Sequence, residues 1–223
     1  MCDSKISPAG SGSREAEKRA PARAVQIVLA TSNPGKLREY REMAAGSPVE
    51  LELLPNFDEL PAFDEAAPTF AENAAGKALH YSRYRREIVL ADDSGLVVPA
   101  LGGAPGVRSA RYAGQEATDE DRYRKVLREM EGKQGGERSA RFVCVVALAR
   151  GGKALVVASD RAEGTLTGEP RGSNGFGYDP IFFFPPLDGT FAEISPWEKN
   201  RYSHRGKAFR KALNYLVNSA SAA

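Results

Sequence analysis

The sequence predicts a mixed α/β fold, one domain of two lobes over residues 24–219 with a cleft between them. Three observations carry that prediction. Short apolar runs alternate with helical stretches through the first half of the chain, as strand–helix–strand units do. Two β-branched runs then meet at Gly151-Gly152, a hairpin signal that argues against a uniformly parallel sheet. No internal repeat or long linker divides the chain.

The elements follow in order. Residues 24–30 (AVQIVLA) are apolar and suit a buried strand. The polar turn TSNPGK leads into LREYREMAAG, a short helix closed by Gly46. Residues 49–60 read as a second strand and a proline-bounded loop. The stretch FDEAAPTFAENAAGKALHYSRYRR is a loop entering a long helix, where Thr69 and Glu72 match a capping box. A strand ending at Ala91 comes next, then Leu96–Leu101 and a Gly/Pro-rich loop. Thr118–Met130 suits a helix, with Asp119, Glu120 and Asp121 favourably placed in its first turn. After the hairpin, the glycine-rich loop 172–178 feeds a short strand, Ile181–Phe184. The segment SPWEKNRYSHRGKAFRKALNYLVN reads as a single closing helix, with Ser195-Pro196 as its cap and first turn.

Composition excludes several classes. Of 223 residues, 42% are hydrophobic and 27% charged, ordinary values for a water-soluble domain. No run reaches the roughly 18 apolar residues of a membrane span, and the stretch before the first strand lacks the apolar h-region expected of a secretory signal. Two cysteines, Cys2 and Cys144, do not make a disulfide framework, and a reducing cytoplasm suits them. The net charge of +2 belongs to residues 1–23, which hold five basic and three acidic residues. The rest of the chain carries 26 of each sign, so no nucleic-acid-binding surface is expected. That Ser-, Gly- and Arg-rich tail reads as disordered, and its acids argue against an organelle transit peptide.

Four stretches hold candidate chemistry. In ATSNPGKLREY a strand passes through a polar turn into a helix that carries Lys36 near its start. This either cradles a phosphate on backbone N–H groups or is a routine turn with Asn33 as N-cap. Carboxylates stand at Asp64, Glu65, Glu72, Asp92 and Asp93, in the small number that suits Mg²⁺ beside substrate phosphates. A capping box explains Glu72 without a ligand, and for Asp64-Glu65 a solvated loop and a metal role fit equally well. Asp92-Asp93 directly follow an apolar strand, where an unpaired charge is costly. With two histidines and no zinc spacing, zinc is not expected. In GSNGFGYDP, glycines bracket Phe176 and Tyr178, which either stack on a base or pack inward. In WEKNRYSHRGK, five basic residues fall within nine positions. Each stretch alone is a modest signal; taken as one site, with cationic donors, carboxylates and an aromatic shelf, the simplest ligand that uses them all is a nucleoside triphosphate.

The blocks LATSNPGKLREY, TFAENAAGKA, LADDSGLVVPALGGAPGVRSARYAG, GFGYDPIF and EKNRYSHRGKA stand in this order over residues 29–208. They closely resemble the non-canonical purine NTP pyrophosphatases, the inosine triphosphate pyrophosphatase or RdgB-type family. The resemblance implies an elongated α/β fold with a central cleft, a cytoplasmic homodimer, and Mg²⁺-dependent hydrolysis of ITP, dITP and XTP to monophosphate and pyrophosphate. By the same resemblance Thr31, Ser32, Asn33, Pro34, Gly35 and Lys36 bind the triphosphate. Asp93 is the general base and a metal ligand, and Ser94 touches substrate. Asp64 falls at the family's metal-binding carboxylate, although the loop here reads D-E-A-A-P in place of E-E-T-G. Phe176, Gly177, Tyr178 and Asp179 line the base, and Lys199, His204 and Arg205 contact base or phosphate. A Maf-type nucleotide pyrophosphatase is the nearest rival enzyme, and the SHR block and FGYD loop argue against it. A catalytically silent nucleotide-binding module is the rival outside enzymes, and Asp92-Asp93 with Lys36 argue against that.

Overall fold

A computed structural model describes residues 24–220; the tail read as disordered, residues 1–23, lies outside the described residues. Five helices pack on a seven-stranded mixed sheet. The elements run β1 (Val25–Leu29), α1 (Pro34–Ala44), β2 (Val49–Leu53), α2 (Phe70–Tyr81), β3 (Ile88–Val97), α3 (Asp119–Glu129), β4 (Ser139–Arg150) and β5 (Lys153–Leu166). Then come β6 (Phe182–Phe184), β7 (Gly189–Thr190), α4 (Pro196–Tyr202) and α5 (His204–Ala220). The strand order is β2-β1-β3-β4-β5-β6-β7. The β1 strand pairs in parallel with β2 and β3, and every later pairing is antiparallel. None of the described helices is long and apolar enough to cross a membrane.

Strand alternation divides the core. Ile88 and Leu90 join Cys144, Val146 and Leu148 beneath α1 and α5, around Tyr40 and Phe209. Val89 and Ala91 face the other way, against α2 at Ala74, Ala78 and Tyr81. A separate cluster of Leu96, Phe142, Phe182 and Phe191 with Val126 of α3 forms the far end of the sheet. As expected, β4 and β5 meet in a tight hairpin, with Gly151 and Gly152 at φ 58° and 75°.

Two predictions of element boundaries are corrected. The strand expected to stop at Ala91 continues to Val97, so Asp92 and Asp93 sit inside β3, paired with Val146 and Val145 of β4. Strand pairing satisfies their backbone groups; Lys36 and Arg205 face the Asp92 charge, and Asn73 and the Ser94 N–H hold the Asp93 carboxyl by hydrogen bonds. The closing helix is in fact two helices. Ser203 is extended (ψ 162°), and its hydroxyl accepts from the Gly206 N–H to start α5 anew. The start of α5 lies so close to α4 that a Cβ at Gly206 would fall 1.8 Å from the Asn200 carbonyl oxygen. This break turns Lys199 of α4 and His204 and Arg205 of α5 toward a common space.

Candidate active site

That space is a cleft between the α1/β3 region and the Phe-rich end of the sheet. Of the residues singled out in the sequence, Asn33, Lys36, Asp93, Ser94, Phe176, Gly177, Tyr178, Asp179, Lys199, His204 and Arg205 line it. Thr31, Ser32 and Pro34 instead line a neighbouring groove with Leu53 and Phe57. Asn33 caps α1 by accepting the Lys36 N–H at 3.0 Å, and its own N–H donates to the Thr31 hydroxyl at 3.1 Å. Gly35 lies beneath the Phe176 ring, where a Cβ would come within 2.6 Å of Cδ1. The Gly35→Ala substitution is therefore expected to cost about 1–3 kcal/mol by overpacking. Urea unfolding should show that cost vanish when Phe176→Ala is combined with it, because the pair is coupled through one contact.

Alternation along β3 gives its two aspartates different settings. Asp92 points toward α1 and α5, fully buried, with Lys36 Nζ at 3.0 Å and Arg205 Nε at 3.5 Å. Burial opposes its charge, but Lys36 and Arg205 outweigh burial and hold its carboxyl below the ordinary value. Asp93 points toward α2. Asn73 Nδ2 donates to Oδ2 at 3.0 Å, and the Ser94 N–H donates to Oδ1 at 2.9 Å. Among the described residues no cation pairs with it. Burial, the largest influence, pushes it up to about 6, and the charges of Glu65 and Asp92 add to that.

Behind Asp92 lies a buried network in which Glu39 bridges Lys199, at 2.6 Å, and Arg205. Lys199 also pairs with Asp179, and Arg205 Nη2 donates to the Ser94 hydroxyl at 2.8 Å. Burial works against each of these charges, yet Glu39 lies below its ordinary range because Lys199 and Arg205 face it. Lys199 is likewise held charged by Asp179 and Glu39. Asp179 also shapes the glycine-rich loop, accepting the Phe176 N–H at 2.8 Å. Gly175, at φ 76°, leaves no room for a side chain, since a Cβ there would meet Asp179 Oδ2 at 2.1 Å. From α3, Asp119 accepts the Gly177 N–H at 2.7 Å. Lys199 and Arg205 stand 4.8 and 5.3 Å from the Phe176 ring centre.

His204 stacks flat on Phe142, with centroids 4.6 Å apart and planes at 6°. Burial first, then the Arg205 and Lys199 charges, keep its pKa far below the usual histidine value, so the ring is neutral at pH 7. Its Nδ1 is buried without a protein partner, an orphaned polar atom of the kind a ligand completes.

Of the loop acids, Asp64 is exposed and does not line the cleft, whereas Glu65 does. Glu65 is paired with Lys77 of α2 and lies close enough to raise Asp93. Glu72 is bonded to the Thr69 hydroxyl at 2.6 Å as part of the α2 cap. Among the described residues no three His, Cys, Asp or Glu side chains gather as a metal cluster. Two cleft carboxylates without a full cage nevertheless fit Mg²⁺, which keeps waters and takes substrate phosphates for its remaining positions.

Sequence reading missed Glu39, Asn73, Ser109, Arg111, Asp119 and Arg122. Glu39 lies three residues after Lys36, so α1 turns both to one side. Asn73 is a polar residue on the otherwise apolar face of α2, and that signal was readable. Arg111 and Ser109 sit in a 3₁₀ segment, Gly106–Arg111, that has no sequence period.

The model of the Ham1 family matches residues 27–215. A dITP/XTP pyrophosphatase of Geobacillus kaustophilus is 47% identical over 186 residues, 83% of this chain and 91% of that one. One from Bacillus licheniformis is 44% identical over 195 residues, 87% and 99% of the two chains. The solved structure of a HAM1 protein from Coxiella burnetii superposes with a TM-score of 0.77 at 42% identity, covering 87% of this chain and 99% of that one. With the profile, the relatives and the fold in agreement, the chain belongs to the Ham1 family.

Proposed function

We propose that this chain is a nucleoside triphosphate pyrophosphatase that hydrolyses dITP, XTP and ITP to the monophosphate and pyrophosphate with Mg²⁺. One observation carries the reading: a buried carboxylate, Asp93, raised to about 6 and unpaired among the described residues, faces a cleft walled by lysine and arginine. In the metal-free fold the pKa of that carboxylate lies near the working pH; bound Mg²⁺ would lower it and leave an ionised group beside the attacking water. Its raised value fits a group that waits for a metal and a water rather than one neutralised by the fold.

The chemistry assigned to each group follows from its setting. Asp93, fixed by Asn73 and Ser94, orients water toward the α-phosphorus and accepts its proton. The water oxygen bonds phosphorus, the bond to the bridging oxygen breaks, and the electron pair leaves with pyrophosphate. Mg²⁺, held by Asp93 and Glu65, supplies Lewis-acid stabilisation of the phosphate charge when bound. We assign the second ligand to Glu65 in place of Asp64, because only Glu65 lines the cleft. Asn33 and Lys36 meet the phosphates through the α1 N-terminus. At the other end, Phe176 stacks on the base and neutral His204 meets its edge. A 6-oxo group satisfies donors that the amino group of adenine leaves unpaired, and polar mismatch of that kind is a strong filter.

The reading extends to a cytoplasmic homodimer acting on the free nucleotide pool, with no nucleic-acid polymer as partner. Residues 24–219 form one two-lobed unit in it, supported by the unbroken sheet from β2 to β7. The test is direct. Purified protein with Mg²⁺ is expected to release pyrophosphate from dITP, XTP and ITP far faster than from ATP, whose base lacks the 6-oxo group. Release of orthophosphate, or equal use of ATP, overturns the proposal.

A further inference from the structure

Most cations that line the cleft are already neutralised by the protein. Lys36 faces Asp92 at 3.0 Å, Lys199 lies between Glu39 and Asp179, and Arg205 lies between Glu39 and Asp92. At the rim, Arg122 pairs with Asp119 at 3.2 Å. Arg111 differs from all of these. It lines the same cleft, is exposed, and has no carboxylate partner among the described residues. Its guanidinium makes one hydrogen bond there, from Nη2 to the backbone oxygen of Glu65 at 3.0 Å.

We propose that Arg111 binds the terminal phosphates of the substrate and stays on the pyrophosphate as it leaves. The proposal rests on reading the cleft as a triphosphate site. A single bond to a carbonyl leaves four of the five guanidinium N–H donors free, in the planar fork that matches phosphate oxygens. Its partner is a neutral carbonyl, so an anion can reach the guanidinium without first breaking an ion pair. Its position selects the phosphate end over the base end: the bond to Glu65 holds Arg111 beside the Asp93–Glu65 pair, whereas Phe176 and His204 define the opposite side.

The side chain also springs from a firm base. Arg111 closes the 3₁₀ segment Gly106–Arg111, within which the Ser109 hydroxyl accepts the Leu96 N–H at 3.0 Å and donates to the Gly106 oxygen at 2.7 Å. The Tyr178 hydroxyl donates to the Ser109 carbonyl at 2.8 Å. This close docking requires Gly95, where a Cβ would fall 2.3 Å from Ser109 Oγ. A segment tied to both β3 and the glycine-rich loop fixes the Arg111 backbone before binding, so only the side chain remains to be ordered. When the Pα–O bond breaks, the negative charge that builds on pyrophosphate meets a donor already in place.

The experiment titrates inorganic pyrophosphate and, separately, dIMP into the Mg²⁺-loaded wild type, Arg111→Gln and Arg111→Lys, alongside dITP turnover and thermal melting. Arg111→Gln is expected to weaken pyrophosphate binding by about tenfold or more, as loss of a charge-assisted pair does, and to lower kcat/KM for dITP. The dIMP affinity and the melting temperature should stay at wild-type values, and Arg111→Lys should recover pyrophosphate binding only in part. Unchanged pyrophosphate binding in Arg111→Gln overturns the proposal, as does absence of pyrophosphate binding by the wild type. Equal weakening of both ligands also overturns it, since that pattern marks a residue that merely holds the Glu65 loop. A wild type that binds pyrophosphate yet turns over no dITP overturns the parent reading instead, and the Arg111 comparison still stands on the titration.

Discussion

Asp93→Asn is expected to abolish turnover, with kcat for dITP falling by about 10³-fold or more as the general base and a metal ligand are lost together. The same variant is expected to be less sensitive to rising pH than the wild type. Asp93 titrates at about 6 in the folded chain against an ordinary 3.8. Between these values the folded state binds more protons than the unfolded state, so stability falls as pH rises through that window. By pH 7 the ionised carboxylate weighs against the metal-free fold by up to about 3 kcal/mol. Asparagine carries no charge and escapes that cost. It also loses something, because Oδ1 and Oδ2 both accept hydrogen bonds and an amide retains one acceptor. The absolute difference in stability is therefore a poor readout, and its pH dependence is a good one. Urea unfolding of both proteins without Mg²⁺ should show the variant gaining on the wild type between pH 4 and pH 7. A flat difference would mean that Asp93 is not raised, and would remove the physical ground for its role as base.

That pair of aspartates also shows what the sequence could and could not reveal. Most of the strands, the hairpin and the capped starts of α2, α3 and α4 were legible because each rests on local chemistry, whereas the two-residue β7 was not. Apolar runs, Gly151-Gly152, and Thr or Ser three residues before an acid are all visible within a few positions. Asp93 stood out in the sequence as a candidate through its position after an apolar run and through family resemblance, and the fold places it on the cleft. The resemblance assigned the chemistry to Asp93 over Asp92, but the physical difference between them was not legible, because it depends on which face of β3 each occupies and on what α1, α2 and α5 bring there. The reading that ended the strand at Ala91 shows the limit: two carboxylates look like a boundary until long-range partners accommodate them. Glu39 was invisible for the same reason, since its partners lie some 160 positions away in the chain. The break between α4 and α5 was in principle readable at Ser203, a serine three residues before Gly206 with polar residues around it. Helical periodicity on both sides concealed it.

The buried network should then respond in the opposite sense to Asp93. Arg205→Met is expected to destabilise the protein by about 3–5 kcal/mol, the usual cost of removing one partner from a buried ion pair. Arg205 is 3% exposed, and it faces Glu39 and Asp92, both of which its charge helps to hold below their ordinary values. Carboxylates lowered in the folded state contribute stability above about pH 4, and that stability is lost as pH falls through their folded values. Without the guanidinium, their pKa values rise and the penalty for ionising them appears as pH increases. The gap between wild type and Arg205→Met is therefore expected to widen from pH 4.5 to pH 7, measured by urea unfolding at each pH. Packing alone predicts a gap independent of pH, because methionine replaces most of the buried volume. The double variant Glu39→Gln/Arg205→Met separates the two causes, since it removes the carboxylate that Arg205 chiefly faces, leaves Lys199 its pair with Asp179, and keeps the packing change. It should recover a substantial part of the lost stability but none of the activity. If it proves no more stable than Arg205→Met alone, Glu39 is not the charge that Arg205 compensates. The cationic wall of the cleft would then be held by packing rather than by this network.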